Sequence, residues 1–295
     1  MTLMKRSGFL YVAAFILLWS LSSPYPQRQA YAEQKEETAE TSEYILGVYP
    51  ALPIAQLDKL FSPISQELGH ALGRAIQFQS SSTYEKYSGR LDRGEFDIAL
   101  VHPFDYVLHA EKAGYAPVVR KNEELTAIFV VPLDSPVKTI MDLKGKIIAM
   151  PPEGSAVSSL ATAELTRQGL LRNNDIQLKH FGEHDSSLQN VVVRNTDAAA
   201  TCRSILRICE NTLGARLRIV GETAPVPHSL FVVHKRVPKN ERDIIRKVLL
   251  STTLAGVPEN FRKAFVIEGK KPFVSVSRED LEKLKSNPII HEGKP

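Results

Sequence analysis

The chain predicts an α/β fold in two lobes of similar build, each a mainly parallel sheet flanked by helices, with a ligand cleft between them. Two observations carry this expectation. Strand-like apolar segments alternate with helix-periodic ones from Tyr44 to Val220, the pattern of sheets covered by helices on both faces. One pattern is also written twice, 100 residues apart. The first copy starts at Tyr84, runs through a helix-like stretch and a turn at Arg93-Gly94-Glu95, and reaches Asp97 and an apolar strand. The second starts at His184, turns at Arg194-Asn195-Thr196, and reaches Asp197-Ala198-Ala199-Ala200. In each copy the leading residue stands 13 positions before the aspartate. Such a repeat sets Tyr84 and His184 on opposite walls of a cleft.

The elements follow in order. Tyr44 to Tyr49 reads as a buried first strand ended by Pro50. Apolar residues at helical spacing (Ile54, Leu57, Leu60, Phe61, Ile64, Leu68, Leu72) predict a helix stopped by Gly73. Ala75 to Gln79 is a second strand, and the run Ser80 to Thr83 caps a helix over 84–93. Phe96 to Val101 is a third strand, with Pro103 suited to the first turn of the next helix. Pro117 to Val119 and Thr126 to Val131 are further strands. The second lobe reads as a short helix at Ile140 to Lys144, strands at Lys146 to Met150, Gln177 to Phe181, Asp197 to Thr201 and Leu217 to Val220, and helices at Ser155 to Gln168 and His184 to Arg194. Crossings between lobes are expected near Thr126 to Pro132 and along an extended path at Ala224 to Val233. Asn240 to Leu254 closes the pattern as an amphipathic helix. The expected division is residues 43–127 plus 229–295 for the first lobe and 128–228 for the second.

The first 32 residues read as a secretory signal peptide. Lys5-Arg6 is the positive start, Gly8 to Leu21 the apolar stretch, and Ala30-Tyr31-Ala32 the cleavage site. The apolar stretch is short of the about 20 residues of a spanning helix, although an uncleaved anchor is the alternative. No lipoprotein cysteine accompanies it. Residues 33–42, charged and poor in apolar side chains, read as a disordered leader. The chain holds 37 basic and 33 acidic residues, but Lys5, Arg6 and Arg28 belong to the first 32, which leaves 34 against 33. That near balance does not indicate nucleic acid as a partner.

Cys202 and Cys209 are the two cysteines. Export makes a disulfide between them a candidate. The spacing opposes it, because seven residues of continuous helix rise about 10.5 Å and a disulfide needs Cα atoms within about 7 Å. A bridge requires a break between them.

Ligands of such folds sit beyond the carboxyl ends of the strands, where helix N-termini favour anions. The candidates there are Tyr49, Ser82, Tyr84, His102 and Tyr106 in the first lobe, and Ser155, His184 and Ser204 in the second. Each has a plainer reading: Tyr49 or Tyr106 as a rim aromatic, Ser82 or His184 as a helix cap, His102 as a structural histidine. Asp97 and Asp197 lie at the opposite strand ends and read as anchors of backbone. No G-x-S-x-G, H-E-x-x-H, P-loop or G-x-G-x-x-G motif is present, so the set is one for binding rather than catalysis, with no cofactor implied.

Six segments together resemble the phosphate/phosphite/phosphonate-binding subunits of ABC importers, among the type II periplasmic binding proteins. They are GVYP (47–50), STY (82–84), RGEFDIALVHPFDY (93–106), SPVKTIMDLKGKIIAM (135–150), FGEHDSSLQNVV (181–192) and APVPHSLFVVHKRVP (224–238). The resemblance covers roughly Tyr44 to Val257. It implies two lobes closing on a small oxyanion, ligand tyrosines at Tyr84 and Tyr106, a cleft histidine at His184, a monomer, and partnership with a membrane permease and ATPase. Tyr49 joins this set by position alone. The family's S-T-S-G loop falls on Gly154-Ser155-Ala156-Val157, keeping one hydroxyl, while Glu153 brings a negative charge beside it. The positions that would hold an ammonium group carry Ser204 and Ser229 or His228, none acidic, which disfavours an aminophosphonate. A sensor module for a membrane kinase is the alternative role.

Overall fold

A computed structural model describes residues 43–214 and 216–291; the signal-peptide and leader segments expected at 1–42 lie outside the described residues. In chain order the first elements are β1 (Tyr44–Val48), α1 (Ile54–Leu72), β2 (Ile76–Gln79), α2 (Tyr84–Asp92), β3 (Ile98–Val101), α3 (Pro103–Asp105), a π-helical turn Tyr106–Ala110, α4 (Glu111–Ala113), β4 (Tyr115–Lys121) and β5 (Glu124–Leu125). The middle of the chain forms β6 (Ile128–Pro132), a 3-10 turn Ile140–Leu143, β7 (Ile147–Met150), α5 (Ala156–Arg167), β8 (Gln177–His180), α6 (His184–Val192), β9 (Ala198–Thr201), α7 (Arg203–Leu213) and β10 (Leu217–Glu222). The remainder is β11 (Val226–Pro227), β12 (Leu230–His234), α8 (Lys239–Ser251), α9 (Glu259–Phe265), β13 (Phe273–Val274), α10 (Arg278–Lys285) and α11 (Pro288–His291).

Two main sheets result. The first has the order β13-β4-β12-β3-β1-β2 and the second β10-β6-β9-β7-β8. The repeat is visible in their cores. β1 lies parallel between β2 and β3, and β7 lies parallel between β8 and β9. Beyond these triplets the sheets are mixed rather than mainly parallel. β12 runs antiparallel to β3 and β4, and β6 antiparallel to β9 and β10. The reason is the crossings. Each chain segment that passes from one sheet to the other arrives as the fourth strand of the sheet it enters, beside the last strand of the parallel triplet and against its direction. The two crossings pair with each other on the way, β5 with β11, and Ala127 and Thr223 exchange hydrogen bonds beside them.

The paired aspartates anchor the triplets. Asp97 Oδ2 accepts from Ile45 N at 2.9 Å and Asp197 Oδ2 from Ile147 N at 2.8 Å, while each aspartate's own N–H donates back to the same residue's carbonyl. β1 and β7 are therefore pinned by the same device to the start of β3 and β9.

Helix α1 forms over the expected residues and buries Leu57, Leu60, Phe61, Ile64 and Leu68, with Gly73 closing it at φ 64°. No helix among the described residues is long and apolar enough to cross a membrane. The candidate disulfide is not formed here: Cys202 and Cys209 are free and buried. Helix α7 runs without interruption from Arg203 to Leu213, and a continuous helix holds residues at that spacing too far apart to bridge.

Candidate functional site

The strands of each triplet deliver their following helices to one region, where helix N-termini from both sheets converge. Thr83 caps α2 by accepting from Lys86 N at 3.2 Å, which makes Tyr84 the first helical residue. Ser155 caps α5 by accepting from Ser158 N at 3.2 Å. His184 begins α6, and Cys202 precedes α7 with Ser204 in its first turn. These N-termini present free N–H groups and the positive ends of helix dipoles, a setting for anions.

Between them lies a cavity of about 70 Å³. A single water occupies roughly 10–15 Å³ by the same measure, so the space suits a molecule of several heavy atoms. Tyr49, Tyr84, His102, Ser155, His184 and Ser204 all line it. Tyr84 and His184, the leading residues of the two repeat copies, meet across it, with Tyr84 Oη 3.2 Å from His184 Nε2. Tyr49 completes an aromatic cluster, its ring centroid 6.0 Å from that of Tyr84 and 5.9 Å from that of His102. The loop leading into α5 closes tightly on this cluster. A Cβ placed at Gly154 would stand 2.8 Å from Tyr84 Cβ, so only glycine permits the approach.

Burial keeps Tyr49, Tyr84 and His184 uncharged. It pushes the Tyr49 and Tyr84 phenols up, and both stay protonated. It drives His184 down to about 3, assisted by His102, so its ring is neutral. His184 Nδ1 is buried without a hydrogen-bond partner among the described residues. His102 Nε2 lies 3.0 Å from Asp105 Oδ2, but too obliquely for a hydrogen bond. Burial alone would raise Asp105; the nearby His102 outweighs it and holds the carboxyl below its ordinary range.

Tyr106 is not brought to the cavity. It opens the π-helical turn after α3, and its hydroxyl donates to Glu111 Oε1 at 3.4 Å. Ser82 is likewise absent from the lining; its hydroxyl accepts from Lys86 Nζ at 3.0 Å. Glu153 also stays outside, exposed and 4.0 Å from Arg172. It places no charge in the lining.

Four further polar residues line the cavity beside those six. Ser229 Oγ pairs with Tyr49 Oη at 2.6 Å and with His228 Nδ1 at 2.9 Å. His228 Nδ1 also accepts from Ser229 N at 2.7 Å, which leaves the proton of the neutral ring on Nε2. Burial, with Lys121, Arg120 and Arg207 nearby, holds this histidine well below its ordinary range. Cys202 lines the cavity beside Ser204, with Sγ and Oγ 3.5 Å apart. Lys121, at the end of β4, is the fourth, and it is only 3% exposed. Ser229 and His228 were visible only as positions lacking an acid. Lys121 sits in the run Arg120-Lys121-Asn122-Glu123-Glu124, which reads as a solvated turn, so no sequence signal marked it.

Residues 46–281 match the family described as the ABC transporter, phosphonate, periplasmic substrate-binding protein. The chain belongs to this family. It is thus an exported solute-binding protein of an ABC importer, working with a permease and ATPase, and it binds rather than transforms its ligand. No curated protein matches the chain. Among solved structures, PhnD1 from Prochlorococcus marinus in complex with methylphosphonate is similar, with TM-score 0.69 and 17% identity over 85% of this chain and 97% of that one. A Xanthomonas citri protein bound to chloride ion gives TM-score 0.67 and 20% identity over 85% and 98%. A binding protein component of an ABC phosphonate transporter from Pseudomonas aeruginosa gives TM-score 0.70 and 10% identity over 82% and 84%. At these identities the likeness is one of fold.

Proposed function

We propose that the protein captures a small phosphorus oxyanion between its lobes, in the manner of a phosphonate, and presents the closed form to its permease as a monomer. The observation that carries this reading is the meeting of Tyr84 and His184 inside a ring of helix N-termini from both sheets. Neutral donors suit an anion here. Phenols, serine hydroxyls and a neutral imidazole donate hydrogen bonds without requiring a buried counter-charge, and charge-assisted bonds to an oxyanion are about twice as strong as neutral ones. Tyr49, Tyr84, His102, Ser155, His184 and Ser204 are the ligand residues. Tyr106 serves the fold instead. The methylphosphonate held by PhnD1 is a ligand of suitable size.

The moving bodies are residues 43–127 plus 229–295 and residues 128–228, hinged at the paired β5 and β11. Closure on ligand brings the α5 and α6 N-termini over Tyr84.

A thermal-shift screen over phosphate, phosphite, methylphosphonate, sulfate and small carboxylates tests the reading. Stabilisation by an oxyanion, lost in Tyr84→Ala and His184→Ala, is expected. Equal stabilisation of wild type and both variants refutes the site.

A further inference from the structure

The cavity has a second character that an inorganic anion does not explain. Away from the helix N-termini its wall is apolar. Leu57, Leu60 and Phe61 of α1, Ile205 and Ile208 of α7, and Phe265 of α9 line it. At the Ser229 side of this wall stands Lys121, the only lysine, arginine, aspartate or glutamate among the described lining residues.

Burying an ammonium group is costly unless it is paired. Lys121 Nζ reaches Glu123 Oε2 at 2.9 Å and lies 4.6 Å from the centre of the Phe265 ring. Glu123 is shared, because Arg207 Nη2 donates to both of its oxygens at 3.2 Å. Glu123 and Arg207 are not among the lining residues, so the carboxylate holds the lysine from behind while the lysine borders the cavity. Burial pulls its pKa down, and Glu123 opposes that pull. An ammonium carries three N–H donors, and one carboxylate oxygen does not use them all. The sheet fixes its backbone beside Ser229, where Lys121 N donates to Ser229 O at 2.9 Å.

We propose that Lys121 forms a second anion subsite, so that the ligand is a phosphonate or phosphate bearing a short carbon chain that ends in an acidic group. The inference rests on the oxyanion reading above. The phosphorus group meets Tyr84, His184 and Ser155. The carbon chain follows the apolar wall past Tyr49, and the terminal acid meets Lys121 beside Ser229. A ligand ending in an ammonium group would face the lysine with like charge.

Three probes of similar length test this by calorimetry: 3-phosphonopropionate, propylphosphonate and 3-aminopropylphosphonate. Wild type is expected to bind 3-phosphonopropionate at least tenfold more tightly than propylphosphonate, with the amine weakest. In Lys121→Met the advantage of the acid over propylphosphonate disappears and propylphosphonate binding stays within about threefold. Lys121→Met strands Glu123, so the double variant Lys121→Met with Glu123→Gln is measured beside it, with circular dichroism reporting that both fold. Equal affinities for the acid and propylphosphonate in wild type, or an acid preference kept by either variant, overturn the proposal and leave the oxyanion reading standing. Failure of wild type to bind all three probes and phosphate overturns both.

Discussion

The triplet β2-β1-β3 with α2 and the triplet β8-β7-β9 with α6 are one design executed twice, and their differences show which features the fold needs and which the ligand needs. Both copies pin the first strand with an aspartate, and both set a hydrogen-bonding side chain at the first helical residue. The structural features differ in how firmly they are built. Asp97 is further held by Arg236 at 2.6 Å and its side chain is 11% exposed, whereas Asp197 has Lys146 at 3.8 Å and is 41% exposed. At the next matching position Tyr87 donates to Leu100 O at 2.7 Å, and Ser187 donates to Met150 O at 2.8 Å. The turns share a left-handed backbone, at Gly94 with φ 63° and at Arg194 with φ 64°. The first copy is thus the firmer platform, and the second keeps the same geometry with weaker parts.

The largest effect expected from breaking this parallel is at the aspartates. Asp97→Ala leaves Ile45 N–H without its partner in a largely buried site and takes the carboxylate from Arg236, and should cost about 3 kcal/mol. Asp197→Ala, half open to water, should cost about 1 kcal/mol. Urea unfolding of the two variants measures the difference, and equal losses would mean that the platforms are equally built.

A second contrast concerns protons. Burial drives Tyr84 and His184 toward their neutral forms from opposite directions, so only the second copy's residue couples stability to acid. His184 has its folded pKa lowered to about 3, below the ordinary 6.5. Between those values the unfolded chain binds the extra proton, and stability therefore falls as pH drops below about 6.5, by up to about 1.4 kcal/mol per pH unit for this group. His228, also held low by burial, adds to the slope. Thermal unfolding from pH 4 to pH 8 should show a shallower acid slope in His184→Gln than in wild type, and no change of slope in Tyr84→Phe.

The smallest effect is at the matched turns. A non-glycine residue in the left-handed region costs roughly 1–2 kcal/mol. Glycine returns about 0.5–1 of that as lost chain entropy, and the exposed pair of Arg194 with Asp134 is screened by solvent and contributes little. Arg194→Gly should therefore move the melting temperature by no more than a few degrees, upward if the surface pair contributes little. Gly94→Arg should lower it clearly, because a Cβ there would stand 3.0 Å from His234 Nε2. A loss in Arg194→Gly as large as in Gly94→Arg would show that the surface pair outweighs the turn.

Much of this was legible in the sequence because it is local. Apolar spacing in α1, the capping run Ser80 to Thr83, and the Asp97 and Asp197 anchors are written within a few residues of where they act. What escaped is made by distant partners. Leu230–His234 looked like an extended crossing, yet it is a fully paired strand between β3 and β4. α7 and the terminal helices α9 to α11 went unread as elements. Lys121 and Tyr106 mark the same limit at the site. A charged residue before a polar turn gives no sign of burial. A tyrosine four residues after His102 gives no sign that a π-helical turn will send its hydroxyl to Glu111.

The central claim is that Tyr84 and His184 act together on one ligand. A double-mutant cycle on the affinity for the tightest oxyanion found in the screen, with Tyr84→Phe, His184→Gln and the pair, tests it most directly. Each single change should weaken binding at least tenfold, and the pair should lose less than the product of the two, with a coupling of about 1 kcal/mol or more. Losses that multiply independently, or singles that bind like wild type, would contradict the claim that the two repeats meet to form the site.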